Sequence, residues 1–118
     1  MNKEKCPCCG YPTLDVRGDY EICLLCDWED DGQDSDQATE VWGGPNGDYS
    51  LEEARNNFLK NFVMYQDHTD NNSLEKFRRK KELMKAYEKL DLDQVMNDSG
   101  KWTDILVLEK KLKLFQST

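Results

Sequence analysis

Cysteine is absent from residues 27–118, and the whole chain of 118 residues contains one histidine, His68. A lone histidine without a nucleophile or a second base makes no catalytic constellation, so we expect a surface histidine and no enzyme. No apolar run approaches the roughly 20 residues that cross a bilayer, and the polar start of the chain lacks the hydrophobic stretch of a secretory signal. We therefore expect a cytoplasmic protein with no membrane partner.

Basic side chains are scarce in the first half of the chain. Residues 1–49 contain three basic and twelve acidic side chains, whereas residues 50–118 contain thirteen basic and twelve acidic ones. A net charge of -9 over the first segment repels a phosphate backbone and attracts a basic protein surface. The charge therefore predicts a basic protein partner and argues against nucleic acid.

All five cysteines lie within the first 26 residues, in the runs Cys6-Pro7-Cys8-Cys9-Gly10 and Cys23-Leu24-Leu25-Cys26. In a reducing compartment, such clustered thiols are better explained by a metal than by disulfides. The spacing predicts one structural Zn²⁺ per chain, held by Cys6, Cys9, Cys23 and Cys26, with no coordination position left for chemistry. Cys8 could replace Cys9 as a ligand or remain a free thiol.

The segment between the two cysteine pairs has the pattern of a short β-hairpin. Leu14 and Val16 alternate with polar neighbours, Tyr20 and Ile22 do the same, and residues 17–19 are an Arg-Gly-Asp turn signal. A hairpin with a cysteine pair at each end is the layout of a zinc ribbon. Gly10 permits a positive φ, which would let backbone N–H groups turn towards the cysteine sulfurs.

An acidic loop follows the last cysteine, with six acids in residues 27–36. A calcium-binding EF-hand loop fits its first positions but fails at the twelfth, where Ala38 stands instead of a bidentate Glu. A solvated partner-binding surface is the better interpretation. Its predicted residues are Trp28, Glu29, Asp30, Asp31, Asp34, Asp36 and Trp42.

The sequence pattern after residue 42 predicts one further loop and three helices. The glycine-rich run 43–47 is interpreted as a structural loop, since it lacks the flanking elements of a phosphate-binding loop. Ser50 and Glu53 form a capping box. Helices are predicted over about 51–65, 74–90 and 102–115, the second with a basic face at 78–81. The last could also contain a buried strand at 105–108, but we favour helix.

Together these patterns predict an α+β fold, in which a small zinc-ribbon hairpin module is followed by about three α-helices. The expected division is residues 1–49, the zinc ribbon with its acidic loop, and residues 50–118, a helical part packed on it. We expect the two parts to form one structural domain.

Several unusual runs recur in the order found in one bacterial family. They are Cys-Pro-Cys-Cys-Gly-Tyr at 6–11, Tyr-Glu-Ile-Cys at 20–23, Cys-Asp-Trp-Glu-Asp-Asp-Gly-Gln at 26–33, Gly-Gly-Pro-Asn-Gly at 43–47 and Ser-Leu-Glu-Glu-Ala-Arg-Asn-Asn-Phe at 50–58. Over about residues 4–65 the chain closely resembles the cysteine-rich CPCC domain family. The resemblance implies a small metal-binding domain and brings no settled activity.

The leading functional hypothesis is a non-enzymatic zinc protein, monomeric or homodimeric, that binds a basic protein through its acidic surface. A concrete version is an immunity or antitoxin-like protein that covers a basic toxin. One alternative is a nucleic-acid-associated zinc ribbon that uses the basic residues between 76 and 89. Another is a thiol-based redox sensor, with Cys8 and loss of zinc as its switch.

Overall fold

The computed structural model of the protein describes residues 3–66, 74–92 and 99–116. The chain separates into two compact units, and the described residues 3–66 belong to the first. That unit contains both cysteine pairs, the acidic loop and one helix, α1 (Leu51–Asn61). The second unit contains two helices, α2 (Leu74–Leu92) and α3 (Ser99–Gln116). The expectation that the whole chain forms one structural domain stays a prediction.

The predicted α+β class with a zinc-ribbon hairpin is wrong. The described residues contain three α-helices, two short 3-10 helices (Ser35–Gln37 and Gly44–Asn46) and no β-strand. The extended pairing there is limited to two isolated antiparallel bridges, Glu4 with Leu14 and Ile22 with Glu29. The number of helices agrees with the expectation, whereas the sheet component does not.

The predicted hairpin does not form because its two halves pair with other residues instead of with each other. Leu14 exchanges backbone hydrogen bonds with Glu4, at 2.7 and 3.1 Å, and Ile22 faces Glu29. The residues before and after each cysteine pair therefore pair with one another, and not with the residues that flank the other cysteine pair. The Glu21 carboxylate accepts the N–H groups of Asp15 and Val16, both at 2.9 Å, which a strand partner would otherwise satisfy. The alternation of apolar residues could not distinguish these two ways of pairing.

Helix α1 begins as predicted and ends earlier. The Ser50 hydroxyl accepts the Glu53 N–H at 3.1 Å, and the Glu53 carboxylate accepts the Ser50 N–H at 3.2 Å, which completes the capping box. The helix stops at Asn61, because Phe62 adopts a left-handed conformation with φ +60°. Continuation to Tyr65 was expected from the apolar spacing. Instead, the turn at Phe62 sends Val63 and Met64 into the interior.

Helices α2 and α3 pack against each other within the second unit. The helical prediction for the last segment is confirmed and the strand alternative is wrong, since α3 is helical throughout. Tyr87 of α2 donates a hydrogen bond to the buried Glu109 carboxylate of α3. Lys80, which belongs to the predicted basic face at 78–81, is buried. The buried apolar residues are Leu83, Tyr87 and Leu90 of α2, and Trp102, Ile105 and Leu112 of α3.

None of the helices described combines the length and the apolar character that crossing a bilayer requires.

Candidate metal centre

The first cysteine pair lies in a tight turn, the first knuckle, formed by residues 6–11. The Cys6 N–H donates to the Tyr11 carbonyl at 2.9 Å, and the Gly10 N–H donates to the Cys6 carbonyl at 2.8 Å. Gly10 has φ +81°, a left-handed conformation that glycine adopts without a steric penalty. The sequence prediction of a positive φ at Gly10 is confirmed.

The second cysteine pair lies in an equivalent turn, the second knuckle, formed by residues 23–28. The Cys23 N–H donates to the Trp28 carbonyl and the Asp27 N–H to the Cys23 carbonyl, both at 2.9 Å. Asp27 takes the place of Gly10, with φ +69°. Both Cys-x-x-Cys pairs are thus held by the same two backbone hydrogen bonds, which project both thiols of a pair to one side.

The four thiols converge in one cluster. The Sγ atoms of Cys6, Cys9, Cys23 and Cys26 all lie within 4.8 Å of one another. The Cys6–Cys26 and Cys9–Cys23 pairs each join the two knuckles, with sulfurs 3.6 Å apart. That separation is near the edge of about 3.8 Å in a tetrahedron with metal–sulfur bonds of about 2.3 Å.

The surroundings of the cluster suit a metal and close it off from solvent. Cys6, Cys23 and Cys26 are at most 1% exposed, and Cys9 is half-buried. All five cysteines are free thiols. Four soft sulfur donors in tetrahedral array are the ligand set of structural zinc or of iron–sulfur centres. The residues therefore fit a four-coordinate metal ion that keeps no position for substrate.

Burial and the hydrogen bonds among the sulfurs shift the pKa values of these thiols in different directions. Burial opposes ionisation of Cys23, but hydrogen bonds from Cys26, Cys6, Cys9 and Thr13 outweigh it and hold the Cys23 pKa well below its ordinary value. The Thr13 hydroxyl lies 3.0 Å from the Cys23 sulfur. The hydrogen bond to Cys23 raises the pKa of Cys9, and burial raises that of Cys26. Ionisation is thus favoured at Cys23 and opposed at Cys9 and Cys26, whose protons a bound cation would displace.

The segment formed by α1 and the residues after it holds both knuckles. The Arg55 Nε donates to the Pro7 carbonyl of the first knuckle at 2.8 Å. The Met64 N–H donates to the Cys26 carbonyl of the second at 2.8 Å. Both contacts join residues far apart in sequence, so no local pattern could have predicted them.

Cys8 is buried between the ligand positions of the first knuckle and is 6% exposed. Its thiol contributes a hydrogen bond to the raised pKa of Cys26. It is not a member of the cluster of four. Its role as a substitute for Cys9 stays a prediction.

The acidic loop does not present all of its predicted partner-binding residues to solvent. Trp28 and Asp30 are fully buried, Glu29 and Asp31 are half-buried, and Asp34, Asp36 and Trp42 are exposed. Trp28 is therefore a core residue and not part of the exposed surface.

Arg17 organises this loop, a role that sequence reasoning missed. Its guanidinium donates to the Asp30 carboxylate at 2.9 Å, the Asp34 carboxylate at 3.1 Å and the Gln33 carbonyl at 2.8 Å. Asp30 also accepts the Gly18 N–H at 2.6 Å and the Gly32 N–H at 3.2 Å. The only signal in the sequence was a single arginine among many acids.

The glycine-rich loop has an internal structural role. Asn46 is 4% exposed, and its carboxamide bonds both backbone groups of Glu29, accepting at 3.1 Å and donating at 2.8 Å. His68 lies outside the described residues.

Comparison with known families matches residues 4–79 to the family described as cysteine-rich CPCC. The match covers more than half of the chain and extends past the expected limit at residue 65 into α2. No curated protein and no solved structure matches the chain.

Proposed function

We propose that this chain, which belongs to the cysteine-rich CPCC family, is a non-enzymatic zinc protein that binds a basic protein partner. Zinc suits the cluster because it takes four thiolates in tetrahedral geometry and has no redox chemistry of its own. In this proposal the metal is structural, because it holds together the two knuckles from which the acidic surface is built. With four protein ligands, the ion has no free position for a reacting group.

The observation that carries the partner proposal is the imbalance of exposed charge. Among residues 3–66, nine acidic side chains are exposed but only two basic ones, Lys5 and Lys60. The exposed acids are Glu4, Asp15, Asp19, Asp34, Asp36, Glu40, Asp48, Glu52 and Glu53. The more buried Arg17 is already paired with acids of the loop. Such a surface attracts cationic proteins over long range and repels nucleic acid.

A more specific form of the proposal is an immunity or antitoxin-like protein that covers a cationic toxin. Exposed carboxylates can occupy a basic surface that would otherwise bind phosphate groups, so a nucleic-acid-cleaving toxin would suit this surface. Trp42 supports the proposal as an interface anchor, since it is 48% exposed beside Glu40.

The basic residues of α2 offer less support for a nucleic-acid partner than their sequence suggests. Arg78 and Arg79 form ion pairs with Glu75 of the same helix, and Lys80 is buried. These contacts reduce the positive charge that could meet a phosphate backbone.

Capture from the native lysate tests the proposal. Zinc-loaded protein immobilised at low salt should retain a basic protein that elutes as salt rises, because exposed charge pairs are screened. A charge-reversed variant, Asp36→Lys, leaves the Arg17 ion pairs in place and should retain less of it, whereas Glu52→Lys, the same change at an exposed acid of α1, serves as the matched control. Binding of oligonucleotides instead of a basic protein, at about 50 mM salt, would favour the nucleic-acid alternative.

A further inference from the structure

A short antiparallel ribbon adjoins the second knuckle. Ile22 faces Glu29, and the pair is flanked by hydrogen bonds from Cys23 N–H to Trp28 carbonyl and from Asp30 N–H to Glu21 carbonyl, both 2.9 Å. In a facing pair of this type, the two residues make no hydrogen bonds to each other. Their own N–H and C=O groups point outward from the ribbon. Ile22 and Glu29 therefore define its two edges.

The Glu29 edge is closed by a side chain. The Asn46 carboxamide satisfies both outward groups of Glu29, as a neighbouring strand would. Asn46 is buried, so this edge is not available to another chain.

The Ile22 edge is open. Neither the N–H nor the C=O of Ile22 has a hydrogen-bond partner within the described part of the chain. Three apolar side chains in this stretch of chain are exposed: Ile22 is 63% exposed, Tyr20 59% and Val16 48%. Natural proteins usually protect such an edge with lysine or proline, because an exposed apolar edge invites pairing with another chain.

We propose that this Ile22 edge is the docking site for an extended, lysine- and arginine-rich segment of a protein partner. The segment adds a strand beside Ile22, so that main-chain hydrogen bonds supply pairing, and apolar side chains cover Ile22 and Tyr20. The exposed carboxylate of Asp19, in the same stretch of chain, selects cationic side chains, whereas that of Asp15 is already paired with Lys3. This inference rests on the proposed function and specifies where and how the basic partner binds.

The negative charge of this unit favours a basic partner over a second copy of the chain at the Ile22 edge. Pairing two Ile22 edges would bring together two units whose residues 3–66 each hold fourteen acids and five bases. Such like-charge contact is unfavourable at an interface. A basic segment has the opposite sign.

The test selects peptides from a random phage-displayed dodecapeptide library against the full-length, zinc-loaded chain. Recovered peptides are synthesised and their affinity is measured for the parent and three variants. Ile22→Lys places a like charge at the edge, and Ile22→Val preserves its shape. Leu59→Lys is the matched control, since Leu59 is 77% exposed on α1 and the change in net charge is the same. Hydrogen exchange of the Ile22 amide is followed with and without peptide, and zinc content verifies that each variant is folded.

We expect recovered peptides to be enriched in lysine and arginine, and Ile22→Lys to weaken binding by about tenfold or more relative to Leu59→Lys. Ile22→Val should bind like the parent, and the bound peptide should slow exchange of the Ile22 amide. Basic peptides that bind Ile22→Lys and Leu59→Lys equally would overturn the docking site while leaving the proposed function intact. Recovery of no basic peptides would overturn the docking site as well, and capture from the native lysate then decides the proposed function separately.

Discussion

Gly10 and Asp27 occupy equivalent positions in the two knuckles, each directly after the second cysteine of its pair. Both have a left-handed backbone, with φ of +81° and +69°. Each donates its N–H to the carbonyl of the first cysteine, at 2.8 and 2.9 Å respectively. The same turn is thus built once with glycine and once with aspartate, a residue that tolerates this conformation better than most.

Substitution of Gly10 should cost backbone energy alone, because no atom lies within 4 Å of where its Cβ would stand. We expect Gly10→Ala to lower the free energy of unfolding by about 1 kcal/mol, and Gly10→Asn by less, since asparagine accepts the left-handed region more readily. Urea unfolding of the zinc-loaded variants measures both. Equal losses for the two variants would contradict the backbone explanation.

Asp30 should be the acid on which the stability of the loop depends most. Asp30→Ala removes one of the three acceptors of Arg17 and leaves the Gly18 and Gly32 N–H groups without theirs. We expect the free energy of unfolding to fall by about 2–3 kcal/mol, moderated because Arg17 is partly exposed. Asp36→Ala removes the same charge from an exposed site and should cost less than about 0.5 kcal/mol. Thermal unfolding at constant zinc compares them, and similar shifts for both would argue against a structural role for Asp30.

Removal of single thiols should distinguish the ligands from Cys8. Cys6→Ser and Cys23→Ser are expected to lose zinc and the fold of residues 3–66 together, because binding energy at such a site is folding energy. Cys8→Ser should retain one zinc per chain, since Cys8 lies outside the cluster of four. Elemental analysis with circular dichroism provides the measurement. Loss of zinc from Cys8→Ser, or no metal in the freshly purified parent, would refute this assignment.

Zinc affinity should rise with pH. Cys9 and Cys26 have raised pKa values, so both keep protons near neutral pH and must release them to bind metal. Below those pKa values, the release of these two protons predicts that zinc affinity rises by at least about a hundredfold per pH unit. Competition with a chromophoric chelator between pH 6 and 8 measures the slope, and a flat profile would contradict it.

The metal-free chain should respond to pH in the opposite direction. A thiol whose pKa is raised by folding stabilises the folded state while it is protonated. That contribution is complete below the ordinary thiol pKa and is lost as pH rises through the raised value. The lowered pKa of Cys23 acts in the opposite sense below the ordinary thiol pKa. We therefore expect the stability of zinc-free protein to fall only above about pH 9, which urea unfolding on both sides of that pH measures.

The elements that the sequence predicted well depend on short-range patterns. The capping box at Ser50 and Glu53 acts over three residues, and its hydrogen bonds form as expected. The family resemblance was carried by local runs of residues and is confirmed over residues 4–79. The hairpin prediction was wrong because alternation indicates extended backbone without saying which segments pair.

The four thiols with metal-ligand spacing, the acidic character of residues 3–66 and the helices could all be predicted, because each depends on composition or on neighbours within a few residues. The burial of Trp28 and Asp30, the contacts of Arg17 with the loop and the closure of one ribbon edge by Asn46 became visible only in the folded chain. So did the open edge at Ile22. Several of those outcomes depend on contacts between residues more than ten positions apart, such as Arg17 with Asp30 and Asn46 with Glu29. Local preference does not encode such contacts, because they form only when the two knuckles and α1 come together.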